Sequence, residues 1–309
     1  HALPDASILT MTEFFDAASS MSSTCEIPII ADCDTGYGGP SNVSHMVRKY
    51  EKAGISSICI EDKTFPKQNS LLENGKNDLL SEKEFVAKIL AAKEARSDKN
   101  FIIIARVEAL ISGAGMDEAL KRATAYESAG ADAILIHSKQ KTPDEIFEFT
   151  DSWNGSVPIV VVPTVYDSVK ISDLESHKIK MVIYANQTLR VAHMAMTNLL
   201  NELVKAERIS DVKDKISTIE DIFDLQQIHG AKDKEKDLEE KLKKKQSKYH
   251  QHRKHHIFPL LLPGNNIFLL CQSTLPKNAH WPGTAPLIAK RLPGDWPAVA
   301  GVRPGALFN

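Results

Sequence analysis

The sequence lacks several features that would place it in a special class of protein. It has no unbroken apolar run long enough to cross a bilayer and no signal-peptide pattern, so we expect a cytoplasmic protein without a membrane partner. Its four cysteines show no paired or metal-ligand spacing, which predicts buried free thiols. A net charge of −2 provides no basic excess for nucleic acid. These absences leave an ordinary soluble globular protein as the expectation.

The chain does contain a regular alternation of short apolar runs and amphipathic segments. The apolar runs are rich in Ile and Val and lack polar alternation, so they predict strands buried on both faces. Such strands separated by helices are typical of a parallel α/β fold. The predicted strands are residues 27–31, 57–60, 101–105, 133–136, 159–162 and 181–184, and the predicted helices between them are residues 43–53, 82–95, 116–129 and 143–150.

Polar side chains at the predicted strand ends distinguish an open sheet from a barrel. Asp32, Asp34, Glu61, Arg106 and His137 lie at or just after the carboxyl ends of four different strands. In a (β/α)8 barrel these ends converge on one mouth, where such enzymes place their active sites. An open sheet would spread the same residues along a line. The sequence therefore predicts a barrel.

The last part of the chain differs in composition from the rest. Helical patterns occupy residues 187–228 and 231–248, and residues 241–256 then carry seven Lys or Arg and no acidic residue. Residues 257–309 contain eight of the fifteen prolines and show no period. We predict a catalytic domain over residues 1–241 and, over residues 242–309, a basic and then proline-rich tail that is disordered or an artefact of the gene model.

The three acidic side chains at neighbouring strand ends suggest a metal site. Asp32, Asp34 and Glu61 would form an oxygen-rich pocket suited to Mg²⁺, and the metal would offset the repulsion among the carboxylates. Any single acid at a strand end could instead cap a helix or pair with a surface lysine. The combination of three acids with Arg106 and His137 favours a site.

The segment EDKTFPKQNS, residues 61–70, begins a long polar connection that reaches residue 81. A connection of this length without periodicity is typical of an active-site lid. Lys67, Asn69 and Ser70 would lie on this lid and face an anionic substrate. For Lys67 alone, a solvated surface charge is the simpler interpretation.

Arg106 and His137 each follow an apolar strand directly. The planar guanidinium of Arg106 suits a substrate carboxylate or phosphoryl group, although a structural ion pair with Glu108 or with a metal-ligand acid is the alternative. His137 could equally be a core histidine satisfied by the backbone.

Four segments together resemble phosphoenolpyruvate mutase of the isocitrate lyase superfamily. They are DCDTGYG, EDKTFPKQNS, ARVEAL and AGADAILIHSK. The resemblance covers about residues 1–241. The pattern EDK-x5-NS is its specific part, whereas DxDTGYG is shared across the superfamily.

The resemblance implies a role for each matching residue. It assigns Asp32, Asp34 and Glu61 to a Mg²⁺ site and Arg106 and His137 to the substrate. It further assigns Lys67, Asn69 and Ser70 to the gating loop, and Asp5 to the neighbourhood of the transferring phosphoryl group. From the residues alone, Asp5 would be a turn residue.

The resemblance also implies an architecture and an activity. The family's fold is a barrel whose last helix is swapped with a neighbour in homodimers and homotetramers, and its first strand would lie upstream of His1, so we expect this chain to lack that strand. The implied activity is the reversible isomerisation of phosphoenolpyruvate to phosphonopyruvate with Mg²⁺.

Three other functions stay open. A phosphonopyruvate hydrolase would use the same pocket with water as the acceptor. A C–C lyase of the superfamily would carry a lid cysteine in a K-[KR]-C-G-H segment, which is KQNS here and counts against this alternative. A non-catalytic barrel subunit is the third alternative.

Overall fold

The computed structural model describes residues 3–254 except residues 74 and 76. The chain divides into two compact units, His1–Ile219 and Glu220–Asn309. The first unit carries every predicted strand and every predicted site residue. The division falls before the domain boundary that the sequence predicted at residue 241.

The first unit is built on a six-stranded parallel sheet whose strands follow one another in chain order. The strands are β1 (Ile30–Asp32), β2 (Ser57–Glu61), β3 (Ile102–Val107), β4 (Ala133–Ile136), β5 (Ile159–Val161) and β6 (Ile179–Val182). This confirms the predicted parallel α/β class. Closure into eight strands, the swapped helix and a strand upstream of His1 stay predictions.

Helices connect the strands, and the residues at their ends explain where they begin. Thr10 and Ser81 cap α1 and α3 through reciprocal bonds with Glu13 and Glu84, the arrangement called a capping box. The helices of this unit are α1 (Met11–Thr24), α2 (Pro40–Lys52), α3 (Glu82–Ala95), α4 (Ala109–Ser112), α5 (Met116–Ala129), α6 (Asp144–Ser152), α7 (Ile171–Ser176) and α8 (Gln187–Leu203), followed by a 3₁₀ helix (Ile209–Lys215).

The strands β2, β4 and β5 are buried on both faces, as their unbroken apolar runs predict, whereas the edge strands β1 and β6 each expose residues. Alternate residues of each strand point to opposite sides, and they separate into two apolar clusters. Ile58 and Ile103 belong to the larger cluster, which packs against the helices. Cys59 and Ile104 belong to the smaller one, which is formed by strand residues.

The strand β1 begins later than predicted. The apolar run starts at residue 27, but Ile30 is the first residue paired with β2, opposite Ser57. Pro28 has no amide hydrogen to donate to a ladder, which explains the late start.

The sequence predicted buried free thiols, and two of the three cysteines among the described residues agree with that prediction. Cys33 and Cys59 are buried free thiols, whereas Cys25 is free but exposed. Cys271 lies outside the described residues. Within the part of the chain that the structure describes, no helix combines the length and apolarity needed to span a membrane.

The helix α9 (Ile219–Leu225) begins at the last residue of the first unit, and the second unit contains the rest of α9 and the charged α10 (Ile228–Lys254). Residues 242–254 are therefore helical, and the helix continues beyond residue 248, where the predicted helical pattern ends. Lysine and glutamine favour helices, and the pairs Lys241–Asp237 and Lys244–Glu240 have the spacing that supports one. Residues 255–309, the rest of the predicted tail, lie outside the described residues.

Candidate active site

The parallel register gathers the predicted site residues at the carboxyl ends of the strands. Glu61 pairs with Arg106 across β2 and β3, and the Glu61 amide donates to the Asp34 carbonyl at 2.9 Å. A cavity of about 650 Å³ opens there. Seven predicted residues line it, namely Asp5, Asp32, Lys67, Asn69, Ser70, Arg106 and His137. Its floor includes Cys59 and Leu135 from the smaller apolar cluster.

The wall of this cavity is organised by Glu108, which is fully buried after β3. Its carboxylate accepts from Arg106 Nε at 2.5 Å and from Ser70 Oγ at 2.6 Å, and lies 2.9 Å from His137 Nδ1. Burial alone would raise the pKa of Glu108, but the charge of Arg106 and the His137 hydrogen bond hold that pKa well below its usual range. Glu108 is therefore a buried anion that orients three neighbours.

His137 belongs to the same network and is held neutral. Burial lowers its pKa, and the nearby charge of Arg106 lowers it further. Nδ1 lies 2.9 Å from Arg106 Nη2 as well as from Glu108. His137 is therefore not a core histidine satisfied by backbone alone. Arg106 makes the ion pair with Glu108 that we considered as the alternative, while it also lines the cavity.

Glu61 lies behind the cavity surface, between two cations. Its carboxylate is 3.3 Å from Lys67 Nζ and 3.2 Å from Arg106 Nε, and it is 2% exposed. Neither oxygen accepts a well-formed hydrogen bond from the described residues. Burial raises the pKa of Glu61 to about 7, against the opposing charge of Arg106. A buried carboxylate with unsatisfied oxygens can accept a further ligand.

The carboxylate oxygens at and near Glu61 are the ligand type that a hard cation prefers. They are not arranged as a formed metal centre. Asp32, Asp34 and Glu61 offer only oxygen atoms, which Mg²⁺ prefers. Among the described residues, no three Asp, Glu, His or Cys side chains are close enough together to hold a metal ion. Instead, the Lys67 ammonium supplies the positive charge: burial would lower its pKa, but Glu61, Asp32 and Asp34 raise it. The predicted metal site therefore stays a prediction.

The connection between β2 and α3 folds over the cavity and is tied at its base. Lys63 and Leu79 form an antiparallel bridge, and the Leu80 amide donates to the Asp62 carbonyl. Lys63, which is 1% exposed, donates from Nζ to Gln68 O at 2.9 Å and to Ser70 Oγ at 2.7 Å. We call residues 62–81 the lid.

The tip of the lid contacts the segment that precedes α1. Asn69 Nδ2 donates to Asp5 Oδ2 at 2.9 Å, and Lys67 Nζ lies 3.3 Å from Asp5 Oδ1. Asp5 is 54% exposed, whereas Lys67 is 7% exposed. Lys67 is thus not the solvated surface charge that its position in a loop would suggest.

Sequence reasoning missed three residues of this site. Lys63 lies within the quoted lid motif, but nothing in the motif shows that its side chain turns inward. Glu108 was considered only as a partner of Arg106. Ser7 donates to Asp34 and accepts from the lid, and no pattern in the sequence marked it.

A comparison with known proteins identifies the family. The family described as phosphoenolpyruvate phosphomutase matches residues 1–204. The chain belongs to this family. Its members include more than one activity: phosphonopyruvate hydrolase of Variovorax sp. (strain Pal2) is 47% identical over 227 residues, which are 73% of this chain and 78% of the relative.

Two solved structures are similar in both sequence and fold. The phosphoenolpyruvate phosphomutase of Streptomyces platensis subsp. rosaceus has a TM-score of 0.74 and 46% identity, covering 76% of this chain and 81% of that one. A phosphonopyruvate hydrolase in complex with oxalate and Mg²⁺ has a TM-score of 0.70 and 44% identity, covering 75% and 80%. The chain therefore belongs to a family of enzymes, and these identities do not distinguish mutase from hydrolase.

Proposed function

We propose that this protein is a Mg²⁺-dependent mutase that interconverts phosphoenolpyruvate and phosphonopyruvate. The observation that carries the proposal is the lid, which is folded down so that Lys67 and Asn69 contact Asp5 at the cavity. A covered cavity with buried cations suits a multiply charged anion that must be kept from water. The EDK-x5-NS pattern of the lid supports the mutase within the family.

The residues of the wall bind and orient the substrate. The guanidinium of Arg106 is held by Glu61 and Glu108, so it is fixed before substrate arrives. Its Nη2 reaches Ser70 and His137, and from there it can donate to an anionic oxygen. Neutral His137 offers a ring nitrogen to the substrate without adding charge. Preorganised donors of this kind stabilise charge that develops in the transition state.

A magnesium ion held by Asp32, Asp34 and Glu61 would withdraw negative charge from the carboxylate and enolate oxygens of the pyruvyl unit. The chain's own contribution is to hold that unit still. In the forward direction the bond between phosphorus and the enol oxygen breaks, and phosphorus bonds to carbon 3. No other reactant is consumed, so the site has to position groups and exclude water.

The lid determines which acceptor captures the phosphoryl group. Lys67 and Asn69 line the cavity from the lid, and with the lid closed they would keep water from it. A hydrolase would leave room for one water molecule, which would bond to phosphorus as the C–P bond breaks and release phosphate and pyruvate. This second candidate is favoured by the 47% identical hydrolase.

We also propose that the six strands belong to an eight-stranded barrel and that α8 packs against a second copy of the chain. In support, α8 has no buried residue within the first unit. It exposes Leu189, Val191, Met194, Met196 and Leu200 by more than half of their surface. Leu189, Met196 and Leu200 follow one another at intervals of seven and four residues and so share one face of the helix, and an exposed apolar face of this kind typically marks an interface. Sedimentation of the full chain should give a dimer or tetramer, and a monomer would contradict the swap.

The proposed function is tested by removing the metal. Purified protein treated with EDTA should lose conversion of phosphonopyruvate, and added Mg²⁺ should restore it with phosphoenolpyruvate as the main product. Calcium, which is larger and takes more ligands, serves as the control ion. Full turnover in EDTA would contradict a magnesium-dependent site, and phosphate with pyruvate as main products would favour the hydrolase.

A further inference from the structure

Ser7 lies between two parts of the candidate site that are distant in the sequence. Its hydroxyl donates to the carboxylate of Asp34, with Oγ 3.1 Å from Oδ2 and 3.3 Å from Oδ1. The same oxygen accepts from the backbone amide of Lys67 at 3.0 Å. One hydroxyl thus connects the end of β1 to the tip of the lid.

The two bonds use the donor and an acceptor of the hydroxyl at once. A side chain that can only donate could not accept the hydrogen bond from the Lys67 amide. A side chain that can only accept could not donate a hydrogen bond to the carboxylate of Asp34. Asp34 is 4% exposed and accepts from the Thr35 amide as well, so Ser7 completes the surroundings of a buried carboxylate. Few side chains other than serine meet both requirements at this size.

The backbone of Ser7 gives independent support. Its φ is 54°, in the left-handed region that residues other than glycine rarely adopt. Such a conformation is disfavoured and persists when the surroundings hold it in place. The strained backbone here coincides with the residue that makes both bonds.

We propose that Ser7 is a positioning residue that fastens the closed lid to the strand end through Asp34. The inference rests on the proposed function for its catalytic consequence, because closing the lid matters only if the cavity binds substrate. Asp5 holds the lid side chains, whereas Ser7 holds the lid backbone at Lys67. Opening the lid therefore breaks the Ser7–Lys67 bond and leaves Asp34 with a hydroxyl free to rotate.

The direct test is amide hydrogen exchange at Lys67 in the full-length protein without substrate. Ser7→Ala removes the acceptor of that amide, so its exchange should become about three- to tenfold faster, the factor expected for one net hydrogen bond. The matched control is Ser20→Ala, because the Ser20 hydroxyl donates to Asp16 within α1. Exchange in the central strands should be unchanged in both variants.

A second variant separates the hydroxyl from backbone strain. Ser7→Gly accepts a positive φ readily but has no hydroxyl, so Lys67 should exchange as fast as in Ser7→Ala. If the Lys67 amide exchanges normally in Ser7→Ala, the proposal is wrong. If Ser7→Gly restores its protection, strain and not the hydroxyl is responsible. Faster exchange throughout the sheet would also overturn the proposal, because it would indicate general destabilisation.

A kinetic measurement connects the inference to the reaction. With phosphonopyruvate, Ser7→Ala should raise KM about three- to tenfold with a smaller change in kcat, because a larger fraction of the enzyme has an open lid. A loss in kcat alone would contradict a role in lid closure. The exchange test needs no turnover, so it can succeed even if the proposed reaction fails, and the two outcomes are distinguishable.

Discussion

The two sides of the cavity hold their charged groups in different ways. On the strand side, Glu108 and His137 are buried, Arg106 is 16% exposed, and the three side chains contact one another within 3 Å. On the lid side, Lys67 and Asn69 contact Asp5, which is more than half exposed to solvent. The wall is formed by neighbouring parallel strands, whereas the lid reaches across from one loop to another.

This difference separates fixed from reversible parts of the site. Removing one partner of a buried ion pair costs about 3–5 kcal/mol, because the other charge is left uncompensated. An exposed pair contributes about 0–1 kcal/mol. The wall should therefore keep its arrangement in the free protein, as should the buried pair of Lys67 with Glu61. The contacts of Lys67 and Asn69 with the exposed Asp5 can instead break and re-form with binding.

Arg106→Met should be the most damaging change. It leaves Glu61 and Glu108 without their shared cation, so the free energy of unfolding should fall by about 3–5 kcal/mol and kcat/KM by at least about 100-fold. Urea unfolding measures the free energy of unfolding, and steady-state kinetics measure kcat/KM. The control is Arg208→Met, because Arg208 is 77% exposed and pairs with Asp211 at the surface. Wild-type stability for Arg106→Met would show that the wall is not a buried ion network.

Asp32→Ala should abolish activity while preserving the fold. Asp32 lines the cavity and is one of the proposed metal ligands, so calorimetric titration should show weaker Mg²⁺ binding and kcat/KM should fall by at least about 100-fold. The exposed Asp16 on α1 provides the control, as Asp16→Ala. Unchanged turnover of Asp32→Ala at limiting Mg²⁺ would remove Asp32 from the site.

Asn69→Ala should affect the reaction more than the stability. Losing the bond to Asp5 should lower mutase turnover about tenfold, equivalent to about 1.4 kcal/mol, and raise the share of phosphate among the products. The free energy of unfolding should change by less than about 0.5 kcal/mol, because the contact is at the surface. Asn154→Ala, which removes an exposed amide bonded to Ser152, is the control. A large loss of stability would mean that the lid is as fixed as the wall.

The neutrality of His137 predicts a small pH effect on stability. Its pKa is lowered from 6.5 by burial, so below pH 6.5 the unfolded chain binds a proton that the folded protein does not. Stability should therefore fall as the pH is lowered through this range, by up to about 1.4 kcal/mol per pH unit for this one group. His137→Asn should lose less stability between pH 7 and pH 5 than the wild type. Equal losses would indicate that folding does not lower the pKa of His137.

Sequence patterns predicted the sheet well because strand identity depends on local apolar runs. Since the carboxyl ends of parallel strands meet at one edge, the positions of Asp32, Glu61, Arg106 and His137 followed from the strand assignments. Helix α10 was predicted too short. Its basic residues were taken as the beginning of a tail, although lysine favours helices.

The contacts between elements could not be predicted from the sequence. Glu108 orients Arg106, His137 and Ser70 only because the lid and two strands meet there. Ser7 has no distinguishing neighbours in the sequence, and its role depends on where the segment before α1 lies. Lys67 likewise has the sequence context of a surface lysine, and its burial depends on the folded lid.

Transfer of the phosphoryl group between oxygen and carbon without water can be tested by ³¹P NMR in H₂¹⁸O. Phosphonopyruvate and Mg²⁺ are supplied to the full chain, and the phosphorus signals are followed with time. We expect conversion to phosphoenolpyruvate whose three non-bridging phosphoryl oxygens carry no ¹⁸O, with little free phosphate. Inorganic phosphate bearing one ¹⁸O as the main product would contradict it, because water would then be the acceptor.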